Sequence, residues 1–294
     1  MVLPIQNSPK YSFIIATLDD DGELEDCLIS LTRLKPGADF EVIIVDQNGD
    51  DRLQAVVEQF SVQLQLRHIQ VAFKGASRAR NVGAELAQGN WLSFPDDDCQ
   101  LLPNFLLELD RLTSDSYVRV ITGKTIDESG QANVLRWSEH ETKFSRWTMF
   151  KCLTEATLIV EKSVFDAVHG FDERFGPGAR FPAAEGIDLM NRLFAQLEMG
   201  QAIYSPELRM IHPTKIPPWN SWAVRRFHSY AIGDGALIAK SMQPHILYWG
   251  LRTIISAIRH ACTLRGWLSL AYVARLWGLM TGFLVFLWLQ LGLL

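Results

Sequence analysis

The string WLSFPDDDC at residues 91–99 sets three consecutive carboxylates, Asp96, Asp97 and Asp98, directly behind an apolar run. Like charges this close repel, and such a cluster persists where a divalent cation or a set of hydroxyl groups compensates it. The chemistry this predicts is oxygen ligation of a metal at the end of a buried strand. A solvated Asp-rich turn is the plainer alternative for the motif taken alone.

The elements that must position these acids follow an alternating pattern. YSFIIAT (11–17) is a β-rich run that ends in the acidic turn LDDDGE, and LEDCLISLTRL behind it has the apolar spacing of a helix face. FEVIIVD (40–46) repeats the unit, closing at Asp46 and the turn QNGDD before the helical stretch RLQAVVEQF. LQLRHIQV (64–71) reads as a third strand, SRARNVGAELAQ (77–88) as a helix opened by Ser77, and WLSFP as a fourth strand. LPNFLLELDRL (102–112) reads as a helix with Pro103 in its first turn, where the missing N–H is harmless. Strands alternating with helices predict an α/β fold with a mostly parallel sheet covered on both faces. Ligands in such sheets sit beyond the carboxyl ends of the strands, where Thr17, Asp46 and Asp96 to Asp98 all fall.

What that crevice can hold is narrowed by missing motifs. No G-x-G-x-x-G follows the first strand and no G-x-x-x-x-G-K-[ST] occurs anywhere, so neither a dinucleotide fold nor a P-loop is supported. Carboxylates alone repel phosphate. With a divalent cation between them, Asp98 can grip a diphosphate while Asp46 and Asp96 or Asp97 accept hydrogen bonds from a base or ribose. The ligand this implies is a nucleotide diphosphate carrying a further group.

The chain has 294 residues, which suits one catalytic domain (1–214) with an appendage (215–294). Its net charge of -5 conceals an asymmetry: from Lys215 onward eight Lys or Arg face the single acid Asp234, whereas residues 1–214 carry 20 bases against 32 acids. The acidic globule argues against a nucleic-acid partner, while a basic, Trp-rich tail suits an anionic lipid surface. Cys27, Cys99, Cys152 and Cys262 are widely spaced with no C-x-x-C pair, and read as reduced, packed thiols of a cytosolic protein. The start MVLPIQNSPK lacks the apolar core of a secretory signal.

In order along the chain, IIATLDDDGELEDCLISL, FEVIIVDQNGDD, GASRARNVGAELAQGNWLSFPDDDC, AVHGFDERFG and EGIDLMNRL resemble a family 2 glycosyltransferase with the GT-A fold, over roughly residues 11–214. The resemblance implies inverting transfer from a nucleotide-activated sugar, a UDP-sugar foremost, with Mn or Mg held by a DXD motif. It is similar in wording to bacterial exopolysaccharide or O-antigen enzymes at the inner membrane, which act on lipid-linked or glycan acceptors. Carried onto this sequence, it gives Thr17 a backbone contact to the nucleotide and Asp46 and Gln47 the base. Arg80 would approach the diphosphate, Asp96 and Asp97 the ribose, and Asp98 the metal, with His212 of MIHP as a further ligand. The plainer readings are a surface arginine and a packed histidine.

Inverting transfer needs a base to deprotonate the acceptor hydroxyl. Where relatives carry an acidic pair followed two residues later by Asp, this chain has Glu185, Gly186, Ile187 and Asp188. Glu185 is the expected base, helped by the freedom Gly186 allows; Asp188 is the other candidate, or it serves the first turn of the helix IDLMNRLFAQL. An impaired homologue that binds nucleotide sugars and scaffolds a biosynthetic complex is the competing class, motivated by Gly186. A phospho-receiver domain, suggested by the acidic turn and Asp46, is disfavoured by the length, the DDD string and the tail. Trp137, His140, Glu141 and Trp147 interleave in one region that suits either an acceptor platform or core packing.

Beyond Pro213, Pro217 and Pro218 the composition changes. In HILYWGLRTIISAIRH the polar positions His245, Arg252 and Arg259 recur every seven residues, leaving a broad apolar face. Leu276 to Leu294 is an uncharged run of 19 residues, marginal for a membrane crossing of roughly 20. It can cross, lie in the interface, enter and return, or pack on the globule or a second copy. Arg252, Arg259, Arg265 and Arg275 before it favour a catalytic part on the cytoplasmic side of the inner membrane.

Overall fold

The computed structural model describes residues 9–19, 22–34, 39–133, 137–213 and 219–292. Asp20 and Asp21 of the acidic turn, the break at Pro217 and Pro218, and the first eight residues lie outside the described residues. The elements run β1 (Tyr11–Thr17), α1 (Glu23–Thr32), β2 (Phe40–Asp46), α2 (Gln54–Ser61), β3 (Leu66–Gln70) and α3 (Ala76–Leu86). Then come β4 (Trp91–Ser93), β5 (Gln100–Leu101), α4 (Phe105–Thr113), β6 (Val120–Ile126), β7 (Thr142–Lys143) and β8 (Ile159–Glu161). The chain continues with α5 (Lys162–Ala167), α6 (Glu185–Leu193), β9 (Ala202–Ile211), α7 (Ser221–Ser241), α8 (Pro244–Thr263) and α9 (Gly266–Gln290).

The chain packs as two compact units. The first comprises Met1–Lys74, Arg78–Gly170 and Leu189–Thr214; the second comprises Gly75–Ser77, Phe171–Asp188 and Lys215–Leu294. The second unit thus gathers segments from before residue 214 around the C-terminal helices.

In the first unit one sheet runs in the order β3-β2-β1-β4-β8-β6-β9-β5, with β7 also paired to β9. The block β3-β2-β1-β4 is parallel throughout, as the strand–helix alternation predicts, and β6 pairs parallel with β9. Antiparallel partners enter through β8, β5 and β7. Both faces of β1 are covered: Phe13, Ile14 and Ile15 are fully buried, so its apolar residues do not alternate with polar ones. Phe13 packs edge-on against Phe40 of β2 and tilted against Phe105 of α4, with ring centroids 5.4 and 6.2 Å apart. Pro103 precedes α4 rather than occupying its first turn, because the Phe105 amide closes a tight turn onto the Leu102 carbonyl and Asn104 takes the capping position. Trp137 is a core residue: it stacks on Tyr204 at 5.8 Å and its indole N–H donates to the Asn133 carbonyl at 2.7 Å, whereas Trp147 is exposed.

In the second unit α7 and α9 touch backbone to backbone. A Cβ on Gly235 would lie 2.0 Å from the Leu279 carbonyl oxygen, and one on Gly282 1.9 Å from that of Ile232. No side chain larger than hydrogen fits either position, so these glycines set the helix spacing. Outside that seam α8 and α9 expose large apolar side chains, among them Leu251, Ile255, Trp267 and Trp277.

Candidate functional site

All residues expected to meet the nucleotide or the metal belong to the first unit. Parallel pairing sets Thr17, the last residue of β1, against Asp46, the last residue of β2, which brings two polar strand ends level. The Gln47 amide donates to the Thr17 carbonyl at 3.0 Å, and the Gln47 side chain makes a longer bond to the same oxygen at 3.4 Å. The Thr17 hydroxyl is buried and has no hydrogen-bond partner among the described residues. Buried polar groups are normally satisfied, so this atom is poised for a ligand.

Asp46 is held from two sides. Its Oδ1 accepts from the Asn48 backbone and side-chain amides, both at 2.8 Å, which turns the chain tightly after β2. Its Oδ2 lies 3.0 Å from His68 Nε2 on β3. Gln70, two residues along β3, donates to the carbonyls of Asn48 and Asp50 at 3.1 and 2.8 Å. Neither His68 nor Asn48 stands out in the sequence as a site residue; the signal was available only as the register of β3 on β2, where His68 lies beside Ile44, two residues from Asp46.

Behind β4, Asp96, Asp98, Cys99 and His212 each bring a ligand atom within 4.8 Å of the others. The sequence separation between Asp98 and His212 is bridged by β9. Its last residue, Ile211, pairs with Gln100 of β5 on one side and with Ile126 of β6 on the other. The next residue is therefore delivered beside the acids. His212 Nε2 stands 3.7 Å from Asp96 Oδ2 and 3.7 Å from Asp98 Oδ1. Its Nδ1 lies 3.0 Å from the Pro213 carbonyl, an acceptor only, so Nδ1 carries the proton and Nε2 faces the carboxylates. Burial opposes a positive charge on His212, but the nearby carboxylates of Asp96 and Asp98 outweigh it and raise its pKa. Burial likewise opposes ionisation of Asp96, yet His212 and the Arg80 guanidinium keep its pKa below the ordinary value. Arg80, on α3, donates to Asp96 Oδ1 at 2.6 Å. Asp97 is half-buried.

Two carboxylates and an imidazole make a hard, oxygen-rich donor set that fits Mn2+ or Mg2+. Cys99 fits less well as a ligand, because burial and the neighbouring acids push its pKa well up and keep it a thiol. Asp96, read from the sequence as a ribose contact, is thus also placed among the prospective metal ligands.

The two acids considered for the base belong to the second unit. Both are buried at the start of α6, behind Ala184, whose φ of 73° is left-handed. A non-glycine residue there carries about 1–2 kcal/mol of strain. Gly186 is not the source of freedom in this turn; it lies inside the helix. Gly176 is the glycine that matters, since at φ 102° a Cβ would meet Ser77 Oγ at 2.8 Å and Glu185 Cδ at 3.2 Å. Lys240 of α7 donates to Asp188 Oδ1 at 2.5 Å and to Asp172 Oδ2 at 2.7 Å. Arg174 adds bonds to Asp172 at 2.7 and 2.9 Å. Burial would raise the Asp172 pKa, but these two cations carry it far below the usual carboxylate range.

Residues 12–171, more than half of the chain, match the family described as glycosyl transferase family 2. The chain belongs to that family. A stretch of 93 residues is 38% identical to an uncharacterised glycosyltransferase of Haemophilus influenzae, covering 31% of this chain and 30% of the relative, so the match spans under a third of the latter's length. The crystal structure of Staphylococcus aureus TarS 1–349 with UDP-GlcNAc superposes with a TM-score of 0.62 at 15% identity, covering 96% of this chain and 92% of that one. The mannosyltransferase PcManGT of Pyrobaculum calidifontis, solved with GDP-Man and Mn2+, gives 0.59 at 16% identity, covering 94% and 73%. At these identities the family 2 chain shares a fold with both, and that fold is the GT-A arrangement expected from the sequence.

Proposed function

We propose that this chain is an inverting glycosyltransferase dependent on Mn2+ or Mg2+. It moves a sugar from a nucleotide-diphosphate donor, a UDP-sugar foremost, to a lipid-linked or glycan acceptor in cell-surface polysaccharide assembly. The observation that carries this reading is the meeting of Asp96, Asp98 and His212 within 4.8 Å behind β4, in a family 2 chain whose β1 and β2 end in Thr17 and Asp46. Structural neighbours bound to UDP-GlcNAc and to GDP-Man with Mn2+ support the donor class.

In this reading Asp98 and His212 would hold a divalent cation, with Asp96 sharing the task while anchoring Arg80, and the bound cation would supply positive charge against the diphosphate leaving group. Arg80 then meets the diphosphate, and Asp97 meets the ribose. Asp46 accepts a hydrogen bond from the base through Oδ2, since two bonds from Asn48 already engage its Oδ1. Glu185 takes the proton of the acceptor hydroxyl. Asp188, gripped by Lys240, fixes the first turn of α6 and leaves proton transfer to Glu185.

The same reading sets the chain on the cytoplasmic face of the inner membrane through its C-terminal helices. α9 has 25 residues and is long and apolar enough to cross. Its first half, however, carries Arg275, bonded to Asp234 of α7. Ionisable groups are rare in membrane spans, so α9 lies along the surface with α8. A thermal-shift screen of nucleotide sugars with Mn2+ or Mg2+ tests the core of the proposal. One donor should stabilise the chain in a way that chelation abolishes, and failure of every donor with either metal would overturn it.

A further inference from the structure

Two segments of the second unit enclose Glu185. One is α6, whose first turn carries Asp188 three residues further on and so on the same helix face. The other is the turn FDERFGPG (171–178), where a Cβ on Gly176 would come within 3.2 Å of the Glu185 carboxyl carbon. Lys240 of α7 joins the two, since its ammonium donates to Asp188 Oδ1 on the first segment and to Asp172 Oδ2 on the second, at 2.5 and 2.7 Å. An ammonium has three donors and no acceptor, which suits it to bridging two acids.

The C-terminal helices hold the same segments at further points. Gly233 lies about two turns before Lys240, on the same face of α7. A Cβ there would stand 2.5 Å from the carbonyl oxygen of Ala183, just ahead of α6. The turn itself is seated on α9, with Phe175 and Phe181 packed on Phe286 at 6.3 and 5.6 Å, and Lys240 lies 5.2 Å from the Phe175 ring centre. The charged side chains gathered at this bridge are Asp172, Arg174, Asp188 and Lys240, with Arg174 bonded to Asp172.

We propose that Lys240 is a positioning residue for Glu185. By tying Asp188 to Asp172 it fixes the gap in which the Glu185 carboxylate stands, and it balances the negative charge one turn along α6. Compared with apolar packing, a bridge desolvated at its acids adds little net stability, so a fixed geometry is what it contributes best. The helices after residue 214 thus build the surroundings of the base as well as an apolar surface. The role rests on the transferase reading, in which Glu185 takes the proton of the acceptor hydroxyl.

The decisive measurement is an NMR titration of the Glu185 carboxyl carbon in the full-length chain labelled with carbon-13 glutamate, the resonance being assigned by its loss in Glu185→Gln. Without the ammonium, the charge of Asp188 opposes ionisation of Glu185, so Lys240→Met should raise the titration midpoint by about one pH unit and Lys240→Arg should restore it. Should Lys240→Met fail to fold, Lys240→Gln, which keeps N–H donors beside both acids but no charge, gives the same reading. A midpoint that stays in place in the neutral variant overturns the proposal. In kinetics with the nucleotide sugar chosen by the thermal-shift screen, Lys240→Met should lower kcat roughly tenfold with donor KM unchanged. It should add no further loss in a Glu185→Gln background, and an additive loss there would overturn the proposal, because Lys240 would then act independently of Glu185. Lost turnover in Glu185→Gln with none lost in Lys240→Met sinks the positioning role alone. If no donor binds or turns over, the transferase reading fails, while the titration still decides whether Lys240 governs the Glu185 carboxylate.

Discussion

Lys240 bridges Asp188 and Asp172 through one ammonium group, 2.5 Å from the first carboxylate and 2.7 Å from the second. The Asp188 side chain is 2% exposed, so its charge has little water to turn to if the lysine is removed. Breaking a buried pair from one side costs roughly 3–5 kcal/mol, and Lys240→Met should fall near the lower end because Arg174 still holds Asp172. Urea unfolding should show that loss and a partial return in Lys240→Arg. A variant as stable as the parent would dissolve the clamp.

With Asp188 paired to Lys240, the proposed function assigns proton transfer to Glu185. Glu185→Gln should lower kcat by roughly 10²–10⁴-fold, the usual range for removing a general base, with donor affinity unchanged. Asp188→Asn should instead act mainly through stability. Steady-state kinetics beside a donor-binding isotherm separates the two outcomes, and intact turnover in Glu185→Gln removes that residue from the mechanism.

Metal binding should follow the protonation of His212. Its pKa is raised by Asp96 and Asp98 despite burial, and a cation must displace the proton on Nε2. Mn2+ affinity should therefore weaken as pH falls through that raised value, and His212→Ala should flatten the dependence. Asp98→Ala should abolish Mn2+-linked stabilisation by donor, whereas Cys99→Ser should leave it in place. Isothermal titration with Mn2+ across pH checks all three.

The parallel block β3-β2-β1-β4 was legible because each strand is a short run with apolar residues closed by polar ones, with helical spacing after β1, β2 and β3, and these are local signals. Thr17, Asp46 and the three acids after β4 were legible for the same reason. His212 rested on resemblance; only β9 lying between β5 and β6 shows why it meets Asp98. β6 and β8 carry no such local signal, because VITGKTI is interrupted by Gly123 and Lys124 and IVE runs directly into α5, and their place depends on partners distant in sequence. Lys240 carried no signal at all. A lysine in the last turn of a helix usually marks a helix C-terminus facing water, and only tertiary packing supplies its two acids.

The hydrogen bond between His68 and Asp46 predicts a contribution to donor affinity from a residue outside the strand ends. With Oδ1 already held by Asn48, His68 fixes the rotation of the carboxylate and so the direction of the remaining lone pair on Oδ2. His68→Ala should weaken nucleotide binding by roughly tenfold, a value near the net worth of one hydrogen bond to a charged group. Competition among UDP, GDP and free ribose phosphate should show the loss in the nucleotides alone. An equal loss in ribose phosphate would mean that the site had shifted as a whole.

Asp234 gives stability an unusual pH dependence. Burial raises its pKa from 3.8 to about 6, and Arg275 at 3.4 Å offsets only part of this. The folded value lies above the unfolded one, so the stabilising contribution is complete below about pH 3.8 and is lost as pH rises through about 6. The acid then ionises inside the helix pair, at a cost of roughly 3 kcal/mol. Asp234→Asn keeps the shape and an acceptor for Arg275 while removing the charge. Above pH 6 it should unfold at a higher urea concentration than the parent, and the difference should vanish in acid. If the variant were less stable at neutral pH, the ion pair with Arg275 would outweigh desolvation, and the sign of this prediction would reverse.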